Sequence, residues 1–304
     1  MKDKFIGAIL GFVVGDILGA PFEGMSQEEI RAAHGYIKGP VKADCYTDDT
    51  IMMKLVLESI LELGRYDFRD VLRRYLENID KIYGIGMTTY YALSNADLSD
   101  PHKGGRTARD LGYGYGNGPL MRAPPIALYH FFNKNDDELV KDVMNETLLT
   151  HYTPTAVTAA IMFSKFLICI GEGLSTEDSY LEALELIHLI PKEFIDYEIP
   201  KIFEESLNRN IESLEQREVR GHIKNTIRIS IMVSYEEDFA GTLLTLVNFG
   251  GDADTNCAIA GAVLGIKLGI NEIPKEWLEY VSIRDELKEK AEKLYDLAKS
   301  RKIS

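Results

Sequence analysis

Acidic side chains gather in two tight groups at opposite ends of a 304-residue chain: Thr47-Asp48-Asp49-Thr50 and Asp252-Ala253-Asp254-Thr255. Carboxylates and hydroxyls with no histidine or thiol among them are oxygen-only donors, which suit hard cations such as Mg²⁺, Mn²⁺ or Ca²⁺ rather than zinc. Each group also has a simpler use, because Asp and Thr cap helix N-termini and favour the positive end of the helix dipole. Capping explains one or two of these acids. It does not explain the crowd of acids and hydroxyls where a helix at residues 257–268 runs straight into the core, since buried carboxylates are costly unless paired or metal-bound. A third acid, Glu23, follows Pro21, which stops or kinks the helix before it. Glu23 joins the aspartates if the two helices are neighbours, and is otherwise an ordinary surface acid.

Other residues offer groups to a ligand. Gly114-Tyr115-Gly116-Asn117-Gly118-Pro119-Leu120-Met121-Arg122 is a glycine-rich loop that enters a helix, a place where backbone N–H groups can cradle phosphate oxygens. Arg122 is a lone charge in the apolar run 119–128, so it pairs with either a carboxylate of the protein or a phosphate. Tyr113 and Tyr115 are placed to stack on a base or ribose, or are simple loop tyrosines. His151, just before the apolar segment 155–170, is a pocket-lining donor or a structural histidine.

These groups must be positioned by helices. Residues 51–63 carry apolar side chains at Met52, Met53, Val56, Leu57, Ile60 and Leu61, with Lys54, Glu58 and Glu62 on the opposite face, the spacing of an amphipathic helix. Residues 155–170 and 257–268 are apolar nearly all round and predict buried helices. Residues 139–149, 178–190, 239–248 and 283–298 are further helix candidates, and strand-like alternation is scarce. Two segments repeat a pattern: Gly7, Gly11, Gly15 and Gly19 recur at spacing four, as do Gly261, Gly265 and Gly269. That spacing puts each set on one helix face. A glycine inside a helix costs roughly 0.5–1 kcal/mol against alanine, so the rows need compensation from close core packing. The two helices either pack on each other or are buried separately. Loops are expected at residues 84–86 and, rich in glycine, across 102–118; a loop of that length is usually functional. The polar stretch 194–220 reads as surface helices rather than a linker, so a single domain is expected.

The bulk numbers bound the function. With 45% hydrophobic residues the chain can bury a sizeable core. Its 48 acidic against 34 basic residues give a net charge of -14, which repels nucleic acid and fits either cation binding or plain solubility. Cys45, Cys169 and Cys257 are odd in number and widely spaced, without disulfide or zinc patterning, which points to a reducing, cytoplasmic setting. The apolar run 5–15 is well short of the ~20 residues that span a bilayer. It lacks a clean signal-peptide cleavage site and reads as a buried helix, so no membrane partner is expected.

Taken in order, the segments closely resemble the ADP-ribosylglycohydrolase family. The resemblance runs from Gly7 to about Gly269 and rests on Gly-Asp-x-x-Gly-Ala at 15–20, Thr-Asp-Asp-Thr at 47–50, Gly-Ile-Gly-x-Thr-Thr at 84–89, Gly-Asn-Gly-x-x-Met-Arg at 116–122 and Gly-Gly-Asp-x-Asp-Thr at 250–255. It implies a compact, orthogonal all-α fold with two divalent cations, Mg²⁺ or Mn²⁺. Thr47, Asp48 and Asp49 would serve one ion. Asp252, Asp254 and Thr255 would serve the other, with Asp254 bridging and Glu23 as a further metal-contacting or catalytic acid. Gly84, Gly86 and Thr88, together with Tyr115, Gly116, Asn117 and Gly118, would hold ribose and diphosphate, with Met121, Arg122 and His151 beside them. Two departures stand out. Where the family often reads Thr-His-x-His-Pro-Glu-Ala, this chain has Thr153 for the second His and Thr155 for the Glu, and Ala253 separates the paired aspartates where Thr is frequent.

The reaction expected from the resemblance is hydrolysis at the ribose carbon of an ADP-ribosylated protein or small molecule, through an oxocarbenium-like transition state. Asp48 or Glu23 would take the proton of the attacking water. The rival readings are an ADP-ribose binder without turnover, like the lens crystallins related to this family, and a two-metal phosphoesterase. A monomer is the default expectation.

Overall fold

The computed structural model describes residues 1–82 and 84–301. Among these residues are sixteen α-helices joined by short loops and 3-10 turns, with no β-sheet. Extended pairing is confined to two isolated bridges, Ser26 with Gly250 and Gly116 with His222. The buried apolar side chains form one connected cluster that reaches from Phe5 to Ala298.

The glycine rows decide how the centre of the molecule packs. Helix Lys2–Gly19 lies antiparallel and directly against helix Ala253–Leu268, so the rows meet rather than being buried separately. A Cβ added to Gly11 would stand 2.3 Å from the Gly261 carbonyl oxygen; on Gly15 it would stand 2.0 Å from that of Cys257, and on Gly19 2.2 Å from that of Ala253. No side chain larger than hydrogen fits this seam, and dispersion between touching backbones offsets the intrinsic cost of glycine in a helix. Lys2–Phe22 and Pro154–Glu172 are long and apolar enough to cross a membrane, but 89% of each window is buried inside the protein, as in core helices.

The amphipathic segment forms helix Asp48–Leu63, closed by Gly64 in the left-handed region. Residues 139–149 and 239–248 fall within helices Asp136–Leu148 and Phe239–Phe249, and 283–298 within Arg284–Ser300, apart from one end residue of the first and of the last. Segment 178–190 is α-helical only to Glu185 and continues as the 3-10 turn Leu186–Leu189. Segment 102–118 differs from the expected continuous loop, because it contains helix Lys103–Asp110. Gly104 and Gly105 are there for close approach rather than for flexibility: a Cβ on either would come within 2.2 Å of a neighbouring carbonyl oxygen, Ala92 for one and Leu148 for the other. Helices Phe68–Glu77, Met87–Ser94 and Ile223–Val233 were not expected as such. The polar stretch 194–220 holds helix Glu198–Ser206 and the 3-10 turn Ile211–Ser213, then ends in an irregular run. It is not wholly superficial: buried Val219 accepts hydrogen bonds from the Asp252 N–H (2.8 Å) and the Asn256 side-chain amide (2.9 Å).

Candidate metal centre and substrate cleft

The early acids sit at the start of helix Asp48–Leu63. Thr47 is its N-cap, and its hydroxyl accepts from the Asp49 N–H. The same hydroxyl donates to Asp16 Oδ1 at 3.1 Å, so Thr47 serves the centre as a cap and a strut. Asp16, on helix Lys2–Gly19, is fully buried and also accepts from the backbone N–H groups of Thr47 and Thr50 and from the Thr50 hydroxyl at 2.6 Å. One carboxylate thus ties the first helix to the N-terminus of another, where the dipole favours negative charge.

The late acids are set by backbone geometry. Gly250 and Gly251 have φ of 71° and 73°, the left-handed region that glycine enters without strain. There the Gly251 N–H donates to Met25 O and the Gly24 N–H to Gly251 O, both at 2.7 Å, which pins the segment carrying Glu23 beside Asp252. Asn117 donates to Asp252 Oδ2 at 2.5 Å and to the Thr226 hydroxyl at 2.9 Å; Thr226 in turn donates to Asn256 Oδ1. The Thr255 hydroxyl lies 3.4 Å from Asp252 Oδ1.

The glycine seam delivers Asp16 and the acids it holds to the first turn of helix Ala253–Leu268. Asp16, Asp49 and Asp254 each offer an oxygen within 4.8 Å of the others, and Glu23, Asp252 and Asp254 form a second such set. Asp254 belongs to both. This crowding is costly without positive charge. Burial pushes Asp16 up to about 6 in spite of its hydrogen bonds. Burial, then repulsion from Asp16 and Glu23, pushes Asp48 to about 7. Asp252 rises to about 6, mainly through burial and against the Asn117 hydrogen bond. Asp49 and Asp254 lie well above the usual carboxylate range, first through burial and then through repulsion by Asp254 and Asp252 respectively. Asp49 Oδ2 and Asp254 Oδ1 are buried with no hydrogen-bond partner among the described residues. Buried orphan carboxylate oxygens carry a large desolvation penalty. Belonging to residues of one shared set of hard donors, they are what a divalent cation would satisfy.

Beside these acids opens a cavity of about 220 Å³. Of the residues singled out from the sequence, Glu23, Asp48, Asp49, Asp252, Asp254 and Thr255 line it on the acidic side. Gly84, Gly86, Thr88, Gly116, Asn117, Gly118, Met121 and His151 line the rest. Four others do not. Tyr113 stacks on Tyr91, with ring centroids 4.9 Å apart. Thr47 is turned to Asp16, as above. Tyr115 is half exposed and stacks on His222, with ring centroids 6.1 Å apart. Arg122 is fully buried behind the cavity wall, its Nε 3.3 Å from Glu146 Oε1 and its Nη2 2.7 Å from the Thr150 hydroxyl. Of its two expected partners, the structure supplies the protein carboxylate, and the guanidinium is not part of the cavity lining. Met87 and Thr89 of the lining belong to the segment 84–89 that the resemblance gives to ribose and diphosphate, whereas sequence reading passed over Gly221 of the lining and Asp16 of the acidic set. Asp16 had a signal, because an ionisable residue that closes an apolar helical run needs partners.

Comparison with known proteins agrees with this geometry. The family model described as ADP-ribosylglycohydrolase matches residues 1–303. An uncharacterized protein of Archaeoglobus fulgidus is 32% identical, with 98% of this chain and 97% of that one covered. The ADP-ribosylarginine hydrolase Tri1 of Serratia proteamaculans is 25% identical, with 97% and 80% covered. A solved structure titled ADP-ribosylglycohydrolase-related protein complex superposes with a TM-score of 0.79 at 27% identity, covering 98% of both chains. With its helices, acids and glycine loops arranged in this way, the chain belongs to the ADP-ribosylglycohydrolase family and is an enzyme that hydrolyses ADP-ribosyl adducts.

Proposed function

We propose that the chain removes ADP-ribose from an N- or O-linked acceptor, a protein side chain or a small molecule, at a centre of two divalent cations, Mg²⁺ or Mn²⁺. The observation that carries this reading is the pair of buried, partnerless oxygens, Asp49 Oδ2 and Asp254 Oδ1, within carboxylate sets drawn from both ends of the chain. Asp48 and Asp49 would hold one ion and Asp252 and Thr255 the other, and Asp254, common to both acidic sets, would serve the centre with them. Asp16 orients the first group through Thr47 and Thr50. When bound, the cations supply positive charge toward the ribose hydroxyls and a water of lowered pKa.

The protein's own groups do the rest. Gly84, Gly86, Gly116 and Gly118 leave the cavity wall bare of side chains, so a ribose-diphosphate can lie against backbone. Asn117 holds Asp252 in place by its 2.5 Å hydrogen bond. Two carboxylates face the cavity for the proton of the attacking water: Glu23 at the exposed rim and Asp48 further in. The net charge of -14 is compatible with cation binding or plain solubility and disfavours nucleic acid. The three free cysteines, two of them buried, support a reducing cytoplasmic setting, and we read the chain as one domain working as a monomer.

The test is product analysis with ADP-ribosyl-arginine, ADP-ribosyl-serine and free ADP-ribose, with and without Mn²⁺. Metal-dependent release of ADP-ribose is expected. AMP would point to phosphoester chemistry, and tight binding without turnover to a silent binder.

A further inference from the structure

Behind the cavity wall a line of buried polar groups ends on the substrate side at His151. Glu146 accepts from the Tyr66 hydroxyl at 2.8 Å and from the Tyr75 hydroxyl at 2.7 Å, and pairs with Arg122. Arg122 Nη2 donates to the Thr150 hydroxyl at 2.7 Å, and that hydroxyl lies 2.8 Å from His151 Nδ1. Arg122, Thr150 and His151 are buried almost completely.

Counting protons along this line fixes a tautomer. A guanidinium has donors only, so Thr150 Oγ1 must accept from Arg122. The hydroxyl has a single proton, and His151 Nδ1 is its one acceptor among the described residues. If Nδ1 carried a proton instead, two donors would point at one oxygen and the buried hydroxyl proton would be left without a partner, a cost that disfavours this form roughly tenfold or more. We infer that Arg122 and Thr150 are positioning residues that hold His151 with Nδ1 bare and Nε2 protonated, so that Nε2–H is a fixed donor for an acceptor oxygen of the bound ADP-ribosyl group. Burial, and then the nearby guanidinium, hold the ring well below the usual imidazole range, so it enters the cavity neutral.

Nε2 has no partner among the described residues and faces space kept open by glycine. A Cβ on Gly116 would stand 3.4 Å from Nε2, and one on Gly118 2.9 Å from Cε1. The helix Gly118–Tyr129 begins at the same place, so its N-terminus and the imidazole N–H favour the same kind of oxygen. The identity of the ligand rests on the function proposed above; the tautomer does not.

The experiment uses the full chain labelled with ¹⁵N-histidine. Two-bond ¹⁵N–¹H spectra near neutral pH should show one neutral ring with Nε2 protonated and Nδ1 unprotonated, absent from His151→Gln and perturbed when ADP-ribose is added. ADP-ribose affinity should fall about tenfold in Thr150→Val and stay within about twofold of wild type in Thr150→Ser, which keeps the hydroxyl. Where Thr150→Val does not fold, the wild-type spectrum and the serine variant decide. A proton on Nδ1 or a charged ring in the wild type overturns the inference, as does a well-folded Thr150→Val that binds ADP-ribose normally. If the tautomer is as stated but no ADP-ribosyl adduct is cleaved, the relay stands and the proposed function falls. If adducts are cleaved and Nδ1 carries the proton, the reverse holds.

Discussion

Replacing Gly15 by alanine sets two physical effects against each other. Helix propensity alone favours the change by about 0.5–1 kcal/mol, since alanine loses less backbone freedom than glycine. Packing opposes it. The new Cβ would stand 2.0 Å from the Cys257 carbonyl oxygen and 2.8 Å from the Ala258 nitrogen, and both are backbone atoms of a buried helix that cannot swing aside like a side chain. Ordinary contact would require helix Ala253–Leu268 to retreat by more than about 1 Å from a close-packed seam, an overpacking penalty of roughly 1–3 kcal/mol or more. The seam also sets the distance from Asp16 to Asp254, so the same retreat loosens the set Asp16, Asp49 and Asp254. The expectation is a metal-free Tm lowered by a few degrees and Mn²⁺ affinity reduced by about tenfold or more, because the donors no longer match a hard ion's preferred distances. Thermal unfolding with and without Mn²⁺, together with calorimetric titration of the metal, reads both. An alanine variant as stable as the wild type with undiminished Mn²⁺ affinity would falsify the claim that the glycine contact builds the centre.

Asp254→Asn removes the group common to both acidic sets; turnover should drop by about a hundredfold or more and Mn²⁺ should no longer raise the Tm, while the metal-free variant gains stability near pH 7 because folding no longer buries a carboxyl whose ionised form burial and its acidic neighbours disfavour. Without metal, wild-type stability should fall as pH rises from about 4 to 7. Asp16 and Asp252, at about 6, and Asp48, at about 7, keep protons in the folded state that the unfolded chain gives up near 3.8, so folding becomes dearer through that window; saturating Mn²⁺ should flatten the slope, as Tm against pH in EDTA and in Mn²⁺ will show. Glu146→Leu strands the buried Arg122 guanidinium and two tyrosine hydroxyls and should cost about 3–5 kcal/mol in chemical denaturation; a cost below about 1 kcal/mol would mean the pair is not the anchor described. Glu23→Gln and Asp48→Asn, compared by kcat against pH, separate the two candidate bases: only the variant of the true base loses the acidic limb of the profile.

Much of the site was legible because its chemistry is local. Thr47, Asp48 and Asp49 are consecutive, and Asp252, Asp254 and Thr255 lie within one helical turn, so donor type and helix placement followed from residue type and spacing. The helices with a strong apolar period, such as Asp48–Leu63 and Pro154–Glu172, were legible for the same reason. The misses lie where tertiary contact overrides local preference. Gly104 and Gly105 look like loop residues until Ala92 and Leu148 are seen pressing on them. Arg122 looks like a phosphate ligand until Glu146, remote in sequence, is found beside it. Asp16 shows its role only when Thr47 and Thr50 donate to it.

The sequence by itself determined the kind of donor, the kind of fold and the presence of two glycine-striped helices, because composition and periodicity are properties of neighbouring residues. Only the tertiary structure decided that the stripes face each other, that Asp16 and Asp49 therefore meet Asp254, and which polar groups look into the cavity and which look away. The first two facts depend on distances between residues more than two hundred positions apart, and the third on contacts between separate segments of the chain. Such distances are set by how closely two backbones can approach, and no pattern within either segment records them.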